Sequence, residues 1–482
     1  MRCQTRGKTT MAQASAKTWS SGFTFILAAV GAAVGLGNIW KFPYVVGVSG
    51  GGAFVLIYLG CVLFIAIPIL ITELWIGRAG GHSPPIAMAN VAKQAGLSPT
   101  RWSMVGYMAM IVGYFIATYY SVIAGWTLAY IFKAGSGFGA AEPAAVAAQF
   151  DGLLADPYAL TLWHTIFMAI ALFIVGRGLK GGIEKAVTIL MPALFAMLLL
   201  MIGYAAVEGD FATAISFLFS SDFSKIDGGT VLVAIGQAFF SISVAMGLLM
   251  TYGSYVPKSV SLTKSALIIA GADTLVALLA GLMIFPLVFG NNLDPGSGPG
   301  LIFQTLPAAF AGMPGGVVFG VIFFVLLAFA AVTSIIALIE PIARFAEGKW
   351  QMKRRNALLV FGTLAWAIGL VTVFSFNIWS DVAPLGHFEV FAGKTPFDLI
   401  DYFTANVMMP LGGILMALFV GWRIKPKVLS DDLTFSNAAV FNTWIWMIRV
   451  VVPLAILWVM VEELSPGTTQ RLLDIIRAAW PF

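Results

Sequence analysis

Gly31-Ala32-Ala33-Val34-Gly35-Leu36-Gly37-Asn38 lies inside an apolar run long enough to cross a bilayer, and so does Gly236-Gln237-Ala238-Phe239-Phe240-Ser241-Ile242-Ser243-Val244-Ala245-Met246-Gly247. Neither stretch suits a continuous helix. A glycine in a helix interior costs about 1 kcal/mol against alanine, and backbone that leaves the helix at membrane depth strands its N–H and C=O groups unless it lines a cavity. One reading is close helix packing through small residues. The other comes from position: the stretches fall in the first of five apolar runs and in the first of the next five. That placement is expected of two inverted repeats whose broken helices hold a solute near the midplane.

The rest of the chain agrees with a membrane setting. Of 482 residues, 60% are hydrophobic and 10% charged, against roughly 25% charged in soluble domains. Mean hydropathy is +0.93. Three histidines and two cysteines, Cys3 and Cys61, support neither a disulfide framework nor a His/Cys metal site. Runs of about 20 apolar residues, the length that crosses the hydrocarbon, occur at 22–46, 54–77, 103–132, 159–176, 185–207, 229–254, 265–290, 315–343, 356–376, 398–422 and 438–461. The fold expected is an all-α polytopic membrane protein of 11 transmembrane helices, spans 1 to 11, with spans 1 and 6 broken. Repeat one covers 22–207, repeat two 229–422 and an extra helix 438–461, all within one transmembrane domain at 22–461.

Charge sets the orientation. With the N-terminus inside, twenty of the 27 lysines and arginines fall in inside segments. Lys133, Lys225, Lys394, Arg471 and Arg477 fall outside, and Lys41 and Arg449 within spans. By the positive-inside rule residues 1–21 are a cytoplasmic segment, read as no signal peptide, and the odd helix count leaves the C-terminus outside. The net charge of +5 therefore marks a membrane side and not a nucleic-acid partner. The tail, 462–482, carries Leu472, Leu473, Ile475, Ile476 and Trp480 and reads as an extracytoplasmic interfacial helix.

Polar residues inside apolar spans each need a partner. Asp273 has no near basic residue in sequence except Lys264, and reads either as a carboxylate in contact with interfacial water or as a cation ligand. Thr333 and Ser334 suit either back-bonding to their own helix or the weakly charged oxygen set that a monovalent cation needs. Lys41 and Asp401 lie toward the outer ends of spans 1 and 10 and are expected to pair across an entrance. Glu340 and Arg344 read as an i, i+4 helix pair, and Glu73 as structural, partnered by Arg78 or by neighbouring backbone.

These residues resemble the neurotransmitter:sodium symporter family with the leucine-transporter fold. The likeness covers nearly the whole chain and is strongest at Gly31 to Pro43, Gly50 to Phe54, Gly236 to Ser243, Asp273 to Phe285 and Thr333-Ser334; the eleven-helix form is similar to bacterial members. The resemblance implies a protein of the bacterial cytoplasmic (inner) membrane, binding two sodium ions and an amino-acid substrate, with no nucleic-acid or obligate protein partner. It implies one sodium site at Ala33, Asn38, Ser241 and Asp273 with the substrate carboxylate, and a second at Gly31, Val34, Ala330, Thr333 and Ser334. It places substrate against Ala33, Leu36, Gly37, Ile116, Tyr120, Phe240, Ser241, Ser243, Met246, Ser334 and Leu338. Monoamine-carrying relatives resemble this chain but have Asp at the position of Gly35; glycine leaves the N–H groups of the broken helix for a substrate carboxylate.

Chloride-dependent members complete an anion site with Tyr58, Gln237, Ser241, an Asn at 273 and a Ser at 277. Here Asp273 and Ala277 stand in the last two places, so chloride is not expected. For the gates the resemblance implies Lys41 with Asp401, Tyr120 and Phe240 as a lid, and Trp19 at the inner face. The family's inner Arg and Asp are replaced by Ala16 and Gly348, with Lys17 and Glu347 as stand-ins one residue away. Gly182 and Pro192 resemble the family's device for unwinding span 5. The function implied is sodium-coupled import of a neutral, mostly hydrophobic L-amino acid; a same-fold carrier of a small amine or osmolyte, or a channel, is the alternative. An enzyme fits poorly: Gly47-Val48-Ser49-Gly50-Gly51 has the GxSxG pattern, but the strand before it that an elbow requires is absent from the reading, and His82, His164 and His387 are expected in or near loops.

Overall fold

The computed structural model describes residues 18–138, 143–220, 222–296, 298, 300–465, 467–471 and 474, and among these the regular structure is helical throughout. Ala16, Lys17 and the apolar residues of the tail named above lie outside the described residues.

Polar residues start the helices where the sequence leaves its loops. The Ser21 hydroxyl accepts the Thr24 N–H at the start of span 1, Asp156 caps span 4 ahead of Pro157, and Ser261 caps span 7. Asp227 with Thr230, and Thr395 with Asp398, form capping boxes at the starts of spans 6 and 10. Among the described residues nine helices are long and apolar enough to cross a bilayer: Gly52–Gly80 (span 2), Pro99–Gly135 (span 3), Pro157–Gly176 (span 4), Leu179–Glu208 (span 5), Leu262–Gly290 (span 7), Gly316–Lys349 (span 8), Arg354–Ser375 (span 9), Pro396–Arg423 (span 10) and Ala438–Leu464 (span 11). A tenth is span 1, broken into Gly22–Ala33 and Gly37–Val48 with a bend of 51°. Span 6 is divided more severely, into Gly228–Ser241 and Leu248–Gly253. Short helices not foreseen in the sequence, among them Pro84–Gln94 and Phe211–Phe219, join the spans.

Burial separates inner from outer helices. The apolar stretches of spans 8 and 3 are 83% and 78% buried, those of spans 5 and 11 only 28%, which makes 3 and 8 walls of the centre and 5 and 11 part of the lipid-facing rim. Span 1 packs against spans 5, 7 and 8, and the second half of span 6 against span 2. Small residues allow that last contact: a β-carbon at Gly77 would lie 2.0 Å from the Met250 carbonyl oxygen. The packing role of small residues and the broken-helix role thus occur together. The Gly182 region of span 5 is helical in this structure. A π-helical turn, Leu179–Glu184, runs directly into Lys185–Glu208, which carries Pro192 in its interior.

Candidate functional site

Each break leaves backbone groups without helical partners, and the side chains around the breaks supply them. At the first, the Gly35 N–H donates to Asn38 Oδ1 at 3.1 Å and the Leu36 N–H to the Tyr120 hydroxyl at 3.4 Å. The Asn38 amide then turns outward: its Nδ2 donates to Asp273 Oδ1 at 2.8 Å and to the Asp273 carbonyl at 3.0 Å, and lies 3.0 Å from Ser241 Oγ. Ser241 Oγ donates to Asp273 Oδ2 at 2.7 Å and accepts from the Tyr58 hydroxyl at 3.3 Å. Asp273 is fully buried; the interfacial-water reading is therefore wrong. Spans 1, 6 and 7 meet on this carboxylate, and the hydrogen bonds it accepts come from uncharged donors.

Thr333 and Ser334 lie at the second junction, buried between spans 1 and 8. Thr333 Oγ1 is 2.9 Å from the Ala330 carbonyl and 3.2 Å from that of Phe329, both in its own helix. Ser334 Oγ is 3.2 Å from the Ala330 carbonyl and also reaches across to the Val34 carbonyl at 3.3 Å. A β-carbon at Gly31 would lie 3.2 Å from Thr333 Cβ. Back-bonding and a shared oxygen cluster therefore coexist: Val34, Ala330, Thr333 and Ser334 put their oxygens together, with Gly31 against them.

Of the residues expected around the substrate, Leu36, Gly37, Tyr120 and Phe240 line a cavity of about 200 Å³ that also holds Lys41 and Asp401. Ala33, Ile116, Ser241, Met246, Ser334 and Leu338 are buried and do not line it, and Ser243 is half-buried. Spans 3, 6 and 8 converge there: a β-carbon at Gly113 would meet the Met246 carbonyl at 2.6 Å and Leu338 Cδ2 at 3.7 Å. Gly35 has little space beside it. A β-carbon there would lie 2.5 Å from Ser334 Oγ and 3.0 Å from the Tyr120 hydroxyl.

The ends of the site match the sequence reading unevenly. Lys41 does not pair with Asp401; its ammonium rests over the Phe240 ring, 4.3 Å from the centroid. At the opposite end Trp19 is buried, donating from Nε1 to the Tyr252 carbonyl at 3.0 Å and meeting Tyr252 and Tyr255 edge to face. Gly348 has no space for the family's Asp, because a β-carbon there would lie 2.0 Å from the His82 ring. Glu347 has Arg354 at 3.7 Å. The Glu340–Arg344 helix pair does not form: Glu340 is bound by Arg354 and by the Tyr255 hydroxyl at 2.6 Å, while Arg344 stacks on Tyr255 and donates to the Gly81 carbonyl. His164 lies inside span 4 and not in a loop, bonded to Ser121 Oγ at 3.0 Å and the Trp366 carbonyl at 3.1 Å.

Glu73 is the residue whose importance the sequence understated. Its carboxylate accepts the N–H groups of Ala245, Gly247 and Met250 at 3.0, 3.1 and 3.3 Å. Ser243, Ala245 and Gly247 have φ of 57, 65 and 76°, the left-handed region that non-glycine residues enter at a cost. Glu73 is what holds that strained turn. The available signal was a carboxylate inside an apolar run with no basic residue a helical turn away.

Comparison with known proteins agrees with this geometry. The sequence profile of the sodium:neurotransmitter symporter family matches residues 16–138 and 151–480. The sodium-dependent transporter YhdH of Bacillus subtilis is 35% identical over 91% of this chain and 96% of its own length. The sodium-dependent dopamine transporter of Bos taurus is 26% identical over 86% of this chain and 64% of its own length. The crystal structure of MhsT in complex with L-phenylalanine superposes with a TM-score of 0.83 at 38% identity, covering 93% of this chain and 99% of that one. The chain therefore belongs to the sodium:neurotransmitter symporter family, whose members are sodium-coupled membrane transporters and not enzymes.

Proposed function

We propose that this symporter imports a neutral, mostly apolar L-amino acid together with two sodium ions and without chloride. The observation that carries the reading is the first break: beside Gly35 the Leu36 N–H has only a 3.4 Å contact to a phenol. A substrate carboxylate can replace that long neutral contact with a charge-assisted one, which is roughly twice as strong. The positive end of the second half of span 1 favours the same charge. The acid that monoamine-carrying relatives place at position 35 is absent here, and Ser334 and Tyr120 stand against Gly35 where its side chain would go. The complex of MhsT with L-phenylalanine supports an amino acid as cargo.

In this reading one sodium takes the Ala33 carbonyl, Asn38, Ser241, Asp273 and the substrate carboxylate. A buried carboxylate held by neutral donors alone is costly, and a cation among these oxygens offsets that cost. The second sodium takes the carbonyls of Gly31, Val34 and Ala330 with the hydroxyls of Thr333 and Ser334. The Ala33, Phe240 and Ser241 carbonyls and the Ser243 hydroxyl receive the ammonium, while Ile116, Tyr120, Phe240, Met246, Ser334 and Leu338 surround the side chain. Coupling follows, because the two ions and the substrate bridge the breaks in spans 1 and 6 to spans 7 and 8. The two halves of span 6 count as one crossing, which gives 11 spans, with repeats at 22–207 and 229–422, the N-terminus in the cytoplasm of a bacterial cell and the C-terminus outside.

Uptake into proteoliposomes, with the twenty amino acids competing against one labelled substrate, tests this. Neutral apolar amino acids should compete, and replacing external sodium by potassium should reduce uptake to background. Undiminished uptake in potassium, or competition by amines alone, would overturn the reading.

A further inference from the structure

Lys41 stands on the wall between two cavities. One is the 200 Å³ cavity that holds Asp401 and leads to Leu36 and Gly37. The other, of about 350 Å³, lies between the second half of span 1 and spans 6, 10 and 11, and holds Glu463. Tyr44, Phe240, Ala405 and Asn406 border both. The Lys41 ammonium forms an ion pair with neither carboxylate and rests instead over the ring of Phe240, which borders both cavities.

Glu463 is placed to take it. Its Oε2 accepts from Asn406 Nδ2 at 3.1 Å, and its backbone carbonyl accepts from the Tyr402 hydroxyl at 3.2 Å, so the end of span 11 is tied to the same stretch of span 10 that carries Asp401. Its Oε1 has no hydrogen-bond partner among the described residues. The ammonium, on its long flexible stem, has one acceptor in each cavity and cannot lie in both.

We propose that Glu463 is the second acceptor of Lys41, and that exchange of the ammonium between Asp401 and Glu463 sets whether the entrance above Tyr120 and Phe240 is shut or open. Paired with Asp401, the Lys41 side chain crosses the cavity over Leu36 and Gly37. Drawn to Glu463, it withdraws into the neighbouring cavity and leaves that path clear. Glu463 is a positioning residue that acts through Lys41. The proposal rests on reading the smaller cavity as the substrate entrance.

The test uses Ile123, which lines the smaller cavity only, replaced by cysteine in a chain with Cys3→Ser and Cys61→Ala, and follows its labelling by a maleimide in detergent. Glu463→Gln should slow labelling and Asp401→Asn should speed it. Each change should be about threefold, the scale of a partly exposed ion pair. Asn406→Ala, which frees Glu463 Oε2, should speed labelling, and it serves if Glu463→Gln does not fold. In a Lys41→Gln background the shifts should vanish. Equal labelling, or shifts of the same sign for Glu463→Gln and Asp401→Asn, would overturn the exchange. Labelling needs neither substrate nor a sodium gradient, so a wrong substrate assignment leaves this result untouched.

Discussion

Spans 1 and 6 face the same backbone problem and solve it differently. In span 1 the freed N–H groups of Gly35 and Leu36 are met by an amide oxygen and by a phenol, the second at 3.4 Å. In span 6 those of Ala245, Gly247 and Met250 converge on a buried carboxylate from span 2. Neutral contacts contribute about 0.5 to 1.5 kcal/mol each and charged ones about 1.5 to 3. The difference teaches which break is permanent and which is exchangeable. A carboxylate ligand can outcompete a phenol for the Leu36 N–H, but it gains nothing at a turn that already holds Glu73.

The largest effect should come from breaking the permanent side. Glu73→Ala leaves three buried N–H groups unpaired around a left-handed turn, at about 1 to 3 kcal/mol each, so the protein should lose at least about 3 kcal/mol of stability or fail to fold. Glu73→Gln keeps one acceptor oxygen but points an amide donor at other donors, and should fall between. Thermal unfolding in detergent followed by size exclusion measures both. A Glu73→Ala protein that melts with the parent would place span 6 in the same exchangeable class as span 1.

Next is the exchangeable side. Gly35→Asp brings a side chain into the space of Ser334 Oγ and the Tyr120 hydroxyl and sets a like charge against the substrate carboxylate. Amino-acid binding should be abolished while the protein still elutes as a folded species. Gly35→Ala adds only the steric part, about 1 to 3 kcal/mol, and should weaken binding by roughly tenfold. Normal binding by either purified variant would mean that the substrate lies the other way round.

A smaller effect separates the two roles of the span 8 hydroxyls. Both already back-bond within their helix, so Thr333→Val with Ser334→Ala should barely change stability. As sodium ligands they are worth about 1.5 to 3 kcal/mol each, and the sodium concentration for half-maximal uptake should rise by roughly tenfold or more per hydroxyl. Unchanged sodium dependence in a folded double variant would return both residues to ordinary helix chemistry.

How much of this was legible in sequence follows physical range. The spans were readable because hydrocarbon demands about 20 apolar residues in a row, a local property; the bounds of spans 4, 7 and 11 moved by three residues or fewer. The breaks were readable because glycine and polar residues are conspicuous in such runs. Partner choice was not. Glu340 was matched to Arg344 because that neighbour is visible, whereas its ion pair is with Arg354, across a helix end. Glu73 reads as partnered by Arg78 or by neighbouring backbone; Arg78 turns instead to Asp432 and the Val260 carbonyl, and nothing near position 73 indicates residues 245 to 250. Asp273 looked close to an interface because span 7 was counted from its start; the packing of spans 1 and 6 buries it. The inner face shows the same limit: the His82 ring stands against Gly348, a contact between residues 266 positions apart that no local pattern reveals.

The smallest effect, a null one, bears on the junction where the two breaks meet. Tyr58, Ser241 and Asp273 are buried together there, Gln237 spends its amide on the Gly37 carbonyl at 3.2 Å, and Ala277 supplies no hydroxyl. A chloride ion in that space would face the Asp273 carboxylate. Two like unit charges 4 Å apart repel by about 4 kcal/mol at an effective dielectric of 20, a penalty of roughly three orders of magnitude in affinity. In the proposed sodium site the carboxylate would itself supply the negative charge that the cation requires, which is the ground for expecting transport without chloride. Initial uptake rates measured at fixed sodium should therefore agree within error when chloride is replaced by gluconate. A strict chloride requirement would mean that Asp273 is protonated in the transporting state. The junction would then hold a neutral acid, and the charge balance between the two breaks would have to come from the bound anion instead.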